Sequence, residues 1–309
     1  MQSFLFKRIV LLTLGGFTLS FPVLAQDYVD LLKVNYANAF NSDFENTEED
    51  TDVQLIDASL LFPVKLNDKI AIVTGIDYAQ HKLSLNPRAT SNTLTNLTFK
   101  AGLSIKHSNK FSGTYVLLPK ISSEEVHVNG NDFFFGGLIL FKYQKAERFQ
   151  WRFGAYTSSE GFGVISTPII GLHYVNQNKK LEITATLPIV ADINYKIGEK
   201  TSFGFGFQAP VKSYSLKSNI PESYVQVSSI EFGPYFQKQV FSDSFLLRLQ
   251  FGFSTTNYEV FEEGDRLPFR LSAVEFGDDR ELLNPELSGA LFLRIGFIYR
   301  FYLPQKASQ

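Results

Sequence analysis

The chain has 309 residues, a formal net charge of −2 and no cysteine. Near-neutral charge without a basic run argues against nucleic-acid binding, and the lack of cysteine excludes disulfides, thiolate metal sites and lipid attachment through a cysteine. Phenylalanine is unusually frequent, with 31 residues, yet the mean hydropathy of −0.03 is too low for a bundle of membrane helices. It suits strands that are apolar on one face only.

Residues 1–25 have the pattern of a cleaved secretory signal peptide. Lys7 and Arg8 precede an apolar stretch, which ends in a small-residue cleavage site at Ala25. The apolar stretch is shorter than the roughly 20 residues that a membrane-spanning helix needs. The sequence therefore predicts export and a mature chain of residues 26–309, which we interpret as a single domain.

The mature chain consists largely of segments in which apolar and polar residues alternate. The clearest of these segments are 97–106, 149–154, 181–187, 193–197, 203–208, 245–254 and 293–303. A strand places successive side chains on opposite faces, so each segment has one apolar and one polar face. So many two-faced segments need one common apolar surrounding. The pattern predicts an all-β fold, an antiparallel transmembrane β-barrel.

The connections between these segments alternate in length. Short polar turns are predicted at 67–68, 107–110, 145–147, 176–180, 198–200 and 242–244, and longer polar stretches at 41–51, 84–93, 121–131, 158–167, 213–223 and 261–287. Short periplasmic turns and longer extracellular loops are typical of outer-membrane barrels. A very tight outer turn at Pro188 gives about 14 strands, and 12 is the alternative without that hairpin. A soluble β-sandwich or a β-solenoid is the competing fold.

The last strand carries a pattern that is known from other proteins. Arg294, Gly296, Tyr299 and Phe301 resemble the C-terminal assembly signal of outer-membrane barrels, which implies the barrel assembly machinery as a partner. The whole chain resembles an uncharacterised outer-membrane β-barrel family of Gram-negative bacteria that is classed only as a domain of unknown function. This resemblance implies the cell outer membrane as location and outer-membrane lipid as surroundings. It implies no activity.

Charged residues on the predicted inward faces include more bases than acids. The pore-lining candidates are Lys100, Arg152, Glu182, Asp192, Lys196, Arg248 and Arg294. They have two interpretations. Internal ion pairs would stiffen a narrow barrel, whereas unpaired bases would make a weakly basic pore that prefers anions.

Candidates for chemistry are few. The histidines are His81, His107, His127 and His173, and none has a ligand partner at metal-binding spacing. A hydrolase would need a hydroxyl nucleophile beside a histidine, and the candidates are His173 with Ser166 or His173 with a hydroxyl of a neighbouring strand. Two acidic segments, 43–52 and 262–286, lack a calcium-loop pattern. We therefore expect no catalytic residue, metal or cofactor.

The sequence thus predicts an outer-membrane barrel that passes small solutes by diffusion through a weakly basic lumen, with no enzymatic activity. The first alternative is a closed barrel that acts through its loops, in adhesion or envelope structure. The second alternative is an outer-membrane lipid hydrolase.

Overall fold

The structure is a computed structural model, and it describes residues 28–124, 130–216 and 222–303. The predicted signal peptide and His127 lie outside these ranges. Within them, no helix has the length and apolar character that crossing a membrane requires. One short 3₁₀ turn, Gly130–Asp132, precedes a strand.

Fourteen antiparallel strands form a closed barrel. They are β1 Tyr28–Asp43, β2 Asp50–Lys65, β3 Ile70–Leu83, β4 Asn92–Lys106, β5 Phe111–Ser123, β6 Phe133–Ala146, β7 Phe149–Glu160, β8 Gly163–Val175, β9 Leu181–Leu187, β10 Val190–Lys196, β11 Thr201–Gln208, β14 Glu231–Gln239, β15 Phe245–Ser254 and β19 Ala290–Tyr302. Pairing of β1 with β19, from Tyr28 with Tyr302 to Phe40 with Leu291, closes the ring. The prediction of 14 strands is confirmed, including the β9–β10 hairpin, and the alternative of 12 is wrong.

The outer surface of the barrel is apolar, as the alternating pattern predicts. On β19, Leu291, Leu293 and Ile295 are exposed, whereas Phe292 and Arg294 point inward and are buried. Exposed leucine, isoleucine and phenylalanine side chains recur on the outward face of strand after strand. A continuous apolar exterior of this size is stable in lipid and would aggregate in water.

The wall is uneven in height. Strands β1 to β8 have 12 to 16 residues each, whereas β9 and β10 have 7 and β11 has 8. The wall is shortest on the side formed by β9, β10, β11, β14 and β15. A seven-residue strand rises about 23 Å, so this side is about half as tall as the opposite side.

Three further strands form a sheet inside the barrel, here called the inserted sheet. They are β12 Val211–Leu216, β13 Ser223–Ser228 and β16 Asn257–Glu262. β12 continues β11, β13 precedes β14 and β16 continues β15, and the hairpin register is unchanged across the bends: Gln208 pairs with Glu231, and Val211 with Ser228. Most residues of the inserted sheet are buried. The outer ends of three wall strands thus bend into the lumen.

A small hairpin completes the wall beside the low strands. This wall hairpin consists of β17 Phe269–Leu271 and β18 Val274–Phe276. β17 runs parallel to the part of β8 that β9 does not reach, near Ile165. The outward side chains of the wall hairpin are apolar and exposed, and its inward pair, Arg270 and Glu275, is joined by an ion pair of 2.6 Å. The wall hairpin therefore repeats the two-faced pattern of the barrel strands.

The inserted sheet creates an apolar core inside the barrel. Tyr214, Val225 and Tyr258 of the sheet pack against wall residues such as Leu83 and Leu94. A lumen open to water would be lined by polar groups. The outer half of the lumen is instead packed as a protein interior is.

Two predicted loops are wrong. The stretch 158–167 contains the ends of β7 and β8 joined by a two-residue turn, in which Phe162 is buried in a second apolar cluster and Gly163 has a φ of 112° that favours glycine. The stretch 213–223 includes residues of the inserted sheet. Glu160 of the first stretch and Ser213 of the second are buried and contact each other inside the barrel. The short turns lie between strands as predicted.

Candidate functional site

The inner half of the lumen, on the side of the short turns, contains the open space. One cavity of about 420 Å³, here called the inner vestibule, lies between β1 to β6 and reaches the turn residues Asn67 and Asn109. A second cavity of about 380 Å³ lies beside Lys196 and Arg300. A third of about 230 Å³, here called the lumen chamber, lies between β2 and β3 and the underside of the inserted sheet. The candidate site is therefore this inner lumen.

Of the five bases among the predicted pore-lining residues, three have acidic partners. Lys100 Nζ lies 2.5 Å from Asp77 Oδ1. Arg248 Nη1 lies 2.7 Å from Asp192 Oδ2 and its guanidinium stacks 3.7 Å from the Tyr235 ring. These contacts fit the ion-pair interpretation, in which an inward base stiffens the wall.

The same holds for Arg294, whose Nη2 lies 2.5 Å from Glu231 Oε2. The fourth base, Arg152, is buried and its Nε lies 3.5 Å from Gln150 Oε1. A paired base carries little net charge toward a passing ion. Contact of any of these residues with a solute stays a prediction.

The remaining two candidates lie near the inner mouth. Glu182 accepts a hydrogen bond of 2.7 Å from the Tyr28 hydroxyl. Tyr28 in turn stacks under the Arg300 guanidinium at 3.5 Å, and Arg300 Nε donates to Asp30 at 2.7 Å. Lys196 is exposed and lines the second cavity. Glu182 is therefore part of a polar network at the β1–β19 closure.

The unpaired bases are elsewhere, in the inner vestibule. Lys69, Lys106, Lys110 and Lys142 line it, and no carboxylate of the described residues lies within 4 Å of their ammonium groups. The acids that line it are already engaged: Asp30 binds Lys33 and Arg300, and Asp68 lies 2.6 Å from Lys65. Lys69 and Lys110 lie in turns, where alternation gives no direction, so they were missing from the predicted site.

A buried ion pair holds the inserted sheet to the opposite wall. Lys120 of β5 is paired with Glu160 at the end of β7, and both side chains are almost fully buried. Glu160 Oε2 also accepts hydrogen bonds from the Ser213 backbone N–H at 2.9 Å and from its hydroxyl at 3.0 Å. Nearby, Lys212 Nζ donates to Asn96 Oδ1 at 3.2 Å. Glu160 lies in a stretch that the sequence predicts to be a loop, so this group is absent from the predicted site.

Hydrogen bonds from the wall hairpin and from the loop after it hold both to the inserted sheet. Arg280 Nη1 donates to Tyr224 Oη and Gln226 Oε1 of β13, each at 3.0 Å. The Arg280 guanidinium also donates to both carboxylate oxygens of Asp278, at 2.8 and 2.9 Å. These hydrogen bonds lower the pKa of Asp278 from 3.8 to about 2. Gln226 Nε2 donates to Glu275 of the wall hairpin at 2.9 Å.

The histidines do not form a hydrolytic site with the predicted serine. His173 is buried and faces inward, whereas Ser166 lies seven residues away on the outward face of the same strand. The predicted pair of Ser166 and His173 is therefore wrong, because residues an odd number of positions apart in a strand point to opposite faces of the sheet. The other predicted partner, a hydroxyl of a neighbouring strand, does lie beside His173: its Nδ1 is 2.9 Å from Thr184 Oγ1 of β9. His81 Nδ1 lies 2.7 Å from the Tyr258 hydroxyl.

The acidic segments contain no candidate metal site among the described residues. Across the described ranges, no group of three or more histidine, aspartate or glutamate residues is arranged to hold a metal ion. The first acidic segment contains one ion pair, Glu49 with Arg88 at 2.8 Å, on the exposed surface. Its chemistry is that of a solvated loop.

Comparison with known proteins identifies the family. Residues 23–300 match the model of a domain of unknown function, DUF6268. The chain belongs to this family. A search of curated proteins finds no match.

Solved structures with a similar fold are outer-membrane proteins. An outer-membrane channel from Pseudomonas putida F1 is 10% identical over 93% of this chain and 100% of that chain, with a TM-score of 0.46. The toluene transporter TodX of Pseudomonas putida is 9% identical over 91% of this chain and 92% of that chain, with a TM-score of 0.36. OccAB4 of Acinetobacter baumannii is 11% identical over 90% of this chain and 100% of that chain, with a TM-score of 0.28. These values concern the fold alone.

Proposed function

We propose that this DUF6268 protein is an outer-membrane channel for small solutes, closed at rest by its own inserted sheet. The observation that carries the proposal is the contrast between the two halves of the lumen. Two cavities of the inner half and the lumen chamber beneath the inserted sheet are lined by charged and polar groups, whereas the rest of the outer half is packed with apolar side chains. Ion pairs stiffen the wall of a barrel, but a purely structural role has no need of unpaired lysines around open space.

The construction of the inserted sheet supports a closure that can open. The sheet is continuous with β11, β14 and β15, and its polar contacts with β5 and β7 are centred on Lys120, Glu160 and Ser213. Movement about the bends at Pro210 and at 229–230 would leave the barrel strands paired. Polar contacts of this kind exchange with water at modest cost once water enters.

We propose that the channel prefers anions, and that this preference comes from residues other than the predicted pore-lining bases. Because Lys100, Arg248 and Arg294 are paired with acids, they add little net charge to the path. The four unpaired lysines of the inner vestibule concentrate anions in a confined space with an apolar wall around it. The weakly basic part of the proposed pore is therefore its inner mouth.

Location and partners complete the proposal. The apolar exterior and the export signal support residence in the outer membrane among its lipids, and the Arg294 to Phe301 pattern on the closing strand supports assembly by the barrel assembly machinery. The proposed role requires no covalent chemistry. The solved relatives in fold are named as channels or transporters, which agrees with a transport role.

The apolar core of the outer lumen favours one competing function, a closed barrel that acts through its loops. A conductance measurement in planar bilayers separates the two. We expect brief, infrequent openings of the full-length barrel, and a steady and larger conductance when 209–230 is replaced by a two-residue Asn-Gly turn, since Gln208 and Glu231 are already paired. A matched control replaces 86–90 of the β3–β4 loop by serine and glycine. No current from either barrel would refute the channel.

A further inference from the structure

We infer that the lumen chamber is a binding site for a small zwitterion, a molecule with one ammonium and one carboxylate group such as a free amino acid. This inference rests on the proposed channel, whose solute it would name. The chamber lies directly under the inserted sheet, so a solute bound there would occupy the last open position before the closed outer half.

Some of the charged side chains that line the chamber have a partner of opposite charge, and others have none among the described residues. Of its three carboxylates, Asp77 is paired with Lys100 at 2.5 Å and Glu231 with Arg294 at 2.5 Å. The third, Asp57, has no cationic partner within 4 Å among the described residues, and its described contact is with the Asn35 amide at 2.6 Å. One unneutralised negative group thus faces the chamber from β2.

One unneutralised positive group faces the chamber from the other side. Lys212 of the inserted sheet is partly buried, and its described polar contact is with the Asn96 amide oxygen at 3.2 Å. No carboxylate of the described residues lies within 4 Å of its ammonium group. Lys212 and Asp57 line the same cavity from different strands without forming an ion pair. A buried charge without a counter-charge is costly.

A zwitterion would neutralise both charges at once. Its ammonium group would bind Asp57 and its carboxylate Lys212, each in a charge-assisted hydrogen bond. A second observation points to a ligand: the Tyr214 hydroxyl is fully buried, lines the chamber and has no hydrogen-bond partner among the described residues. A carboxylate held by Lys212 could accept this hydrogen bond, because Lys212 and Tyr214 point to the chamber from the same short strand.

The volume and the remaining lining limit the rest of the molecule. The chamber of about 230 Å³ is smaller than the pockets of roughly 300–1,000 Å³ that hold drug-sized ligands. Leu55, Ala79, Pro210 and Val227 supply apolar lining. The site therefore suits an amino acid with a small aliphatic side chain better than a sugar or a dipeptide.

Titration calorimetry on the folded barrel in detergent tests the inference. The probes are L-valine and two analogues of equal or smaller size, isovalerate without the ammonium group and isobutylamine without the carboxylate. We expect valine to bind at least tenfold more tightly than either analogue to the unmodified protein. Because this comparison needs no variant, it does not depend on how well a mutant folds. Equal affinity for valine and one analogue, or no binding of valine, would overturn the inference.

Variants locate the site. Asp57→Asn and Lys212→Gln should each weaken valine binding at least tenfold, and Tyr214→Phe a few-fold. Asp243→Asn and Lys238→Gln make the same charge changes at exposed positions of the inner end and should leave binding unchanged. Binding that survives Asp57→Asn and Lys212→Gln together would refute this site. Calorimetry measures no current, so the zwitterion site and the channel can fail separately.

Discussion

Removing the charge of Glu160 should release the inserted sheet from the wall. Glu160→Gln retains an oxygen that can accept the hydrogen bonds of Ser213, but it leaves the buried Lys120 ammonium without its counter-charge. Lys120 would then be stabilised only if water reached it. Water reaches it most easily when the inserted sheet moves away from β5, so the substitution favours the open barrel.

The expected size of the effect follows from the burial of the pair. Breaking one side of a buried ion pair costs about 3–5 kcal/mol, and each 1.4 kcal/mol changes an equilibrium about tenfold. Part of this free-energy cost destabilises only the closed state, because water solvates Lys120 in the open state. We therefore expect the ratio of open to closed barrels to rise by about 100-fold or more.

Single-channel recording measures this ratio directly. The double variant Lys120→Met with Glu160→Gln is the matched control: it removes both charges and keeps the acceptor for Ser213, so it should close nearly as well as the unmodified barrel. Heat-modifiable gel migration checks that all three proteins are folded. An open probability of Glu160→Gln equal to that of the unmodified barrel would show that this ion pair does not hold the sheet. Equal opening of the single and double variants would refute the role of charge.

Three further predictions concern the mouth, the loops and the lipid face. Lys106→Gln with Lys142→Gln should move the reversal potential in a salt gradient toward zero, since both are unpaired vestibule bases; an unchanged potential would contradict this. The lowered pKa of Asp278, about 2, means that its bond with Arg280 stabilises the loop above pH 3.8 and is lost as the pH falls through 2. Protease resistance of 277–289 should therefore be constant from pH 7 to 4 and fall near pH 2. Phe301→Asp should reduce the folded fraction on gels, because a charge on the lipid face is destabilising; normal folding would mean that the strand faces are reversed.

The barrel could be predicted from the sequence because alternation is a local property. The face of every residue from Leu291 to Tyr302 follows from the identity of its neighbours, and the structure has the same faces. The tight turn at Pro188 was predicted from the two alternating segments beside it. Strand number and direction then follow from counting, since a closed antiparallel barrel needs an even number of strands when both ends lie on one side.

Ion pairs across strands and the inserted sheet could not be predicted in this way. The alternation assigns Arg300 to the lumen but does not tell that it contacts Asp30, which is 270 positions away. The residues of β12, such as Ser213 and Ser215, have the polar composition of a surface loop. Their burial depends on the opposite wall, where Glu160 and Ser122 provide partners. Such partners are set by tertiary structure, about which a local pattern holds no information.

The edges of the inserted sheet explain why the closed state is stable by itself. A strand edge inside a membrane protein needs partners for its backbone groups. On the β12 edge, the Glu124 N–H donates to the Ser215 carbonyl at 2.9 Å. On the β16 edge, the Val260 N–H donates to Asn284 Oδ1 at 2.8 Å, and the Leu283 N–H donates to the Val260 carbonyl at 2.9 Å. Both edges are thus satisfied at the points of contact with the wall and the last loop, and withdrawal of the sheet breaks these bonds together. In the proposed channel these bonds favour the closed state, and a bound solute that loosens the Lys212 and Tyr214 side of the sheet would make the openings more frequent.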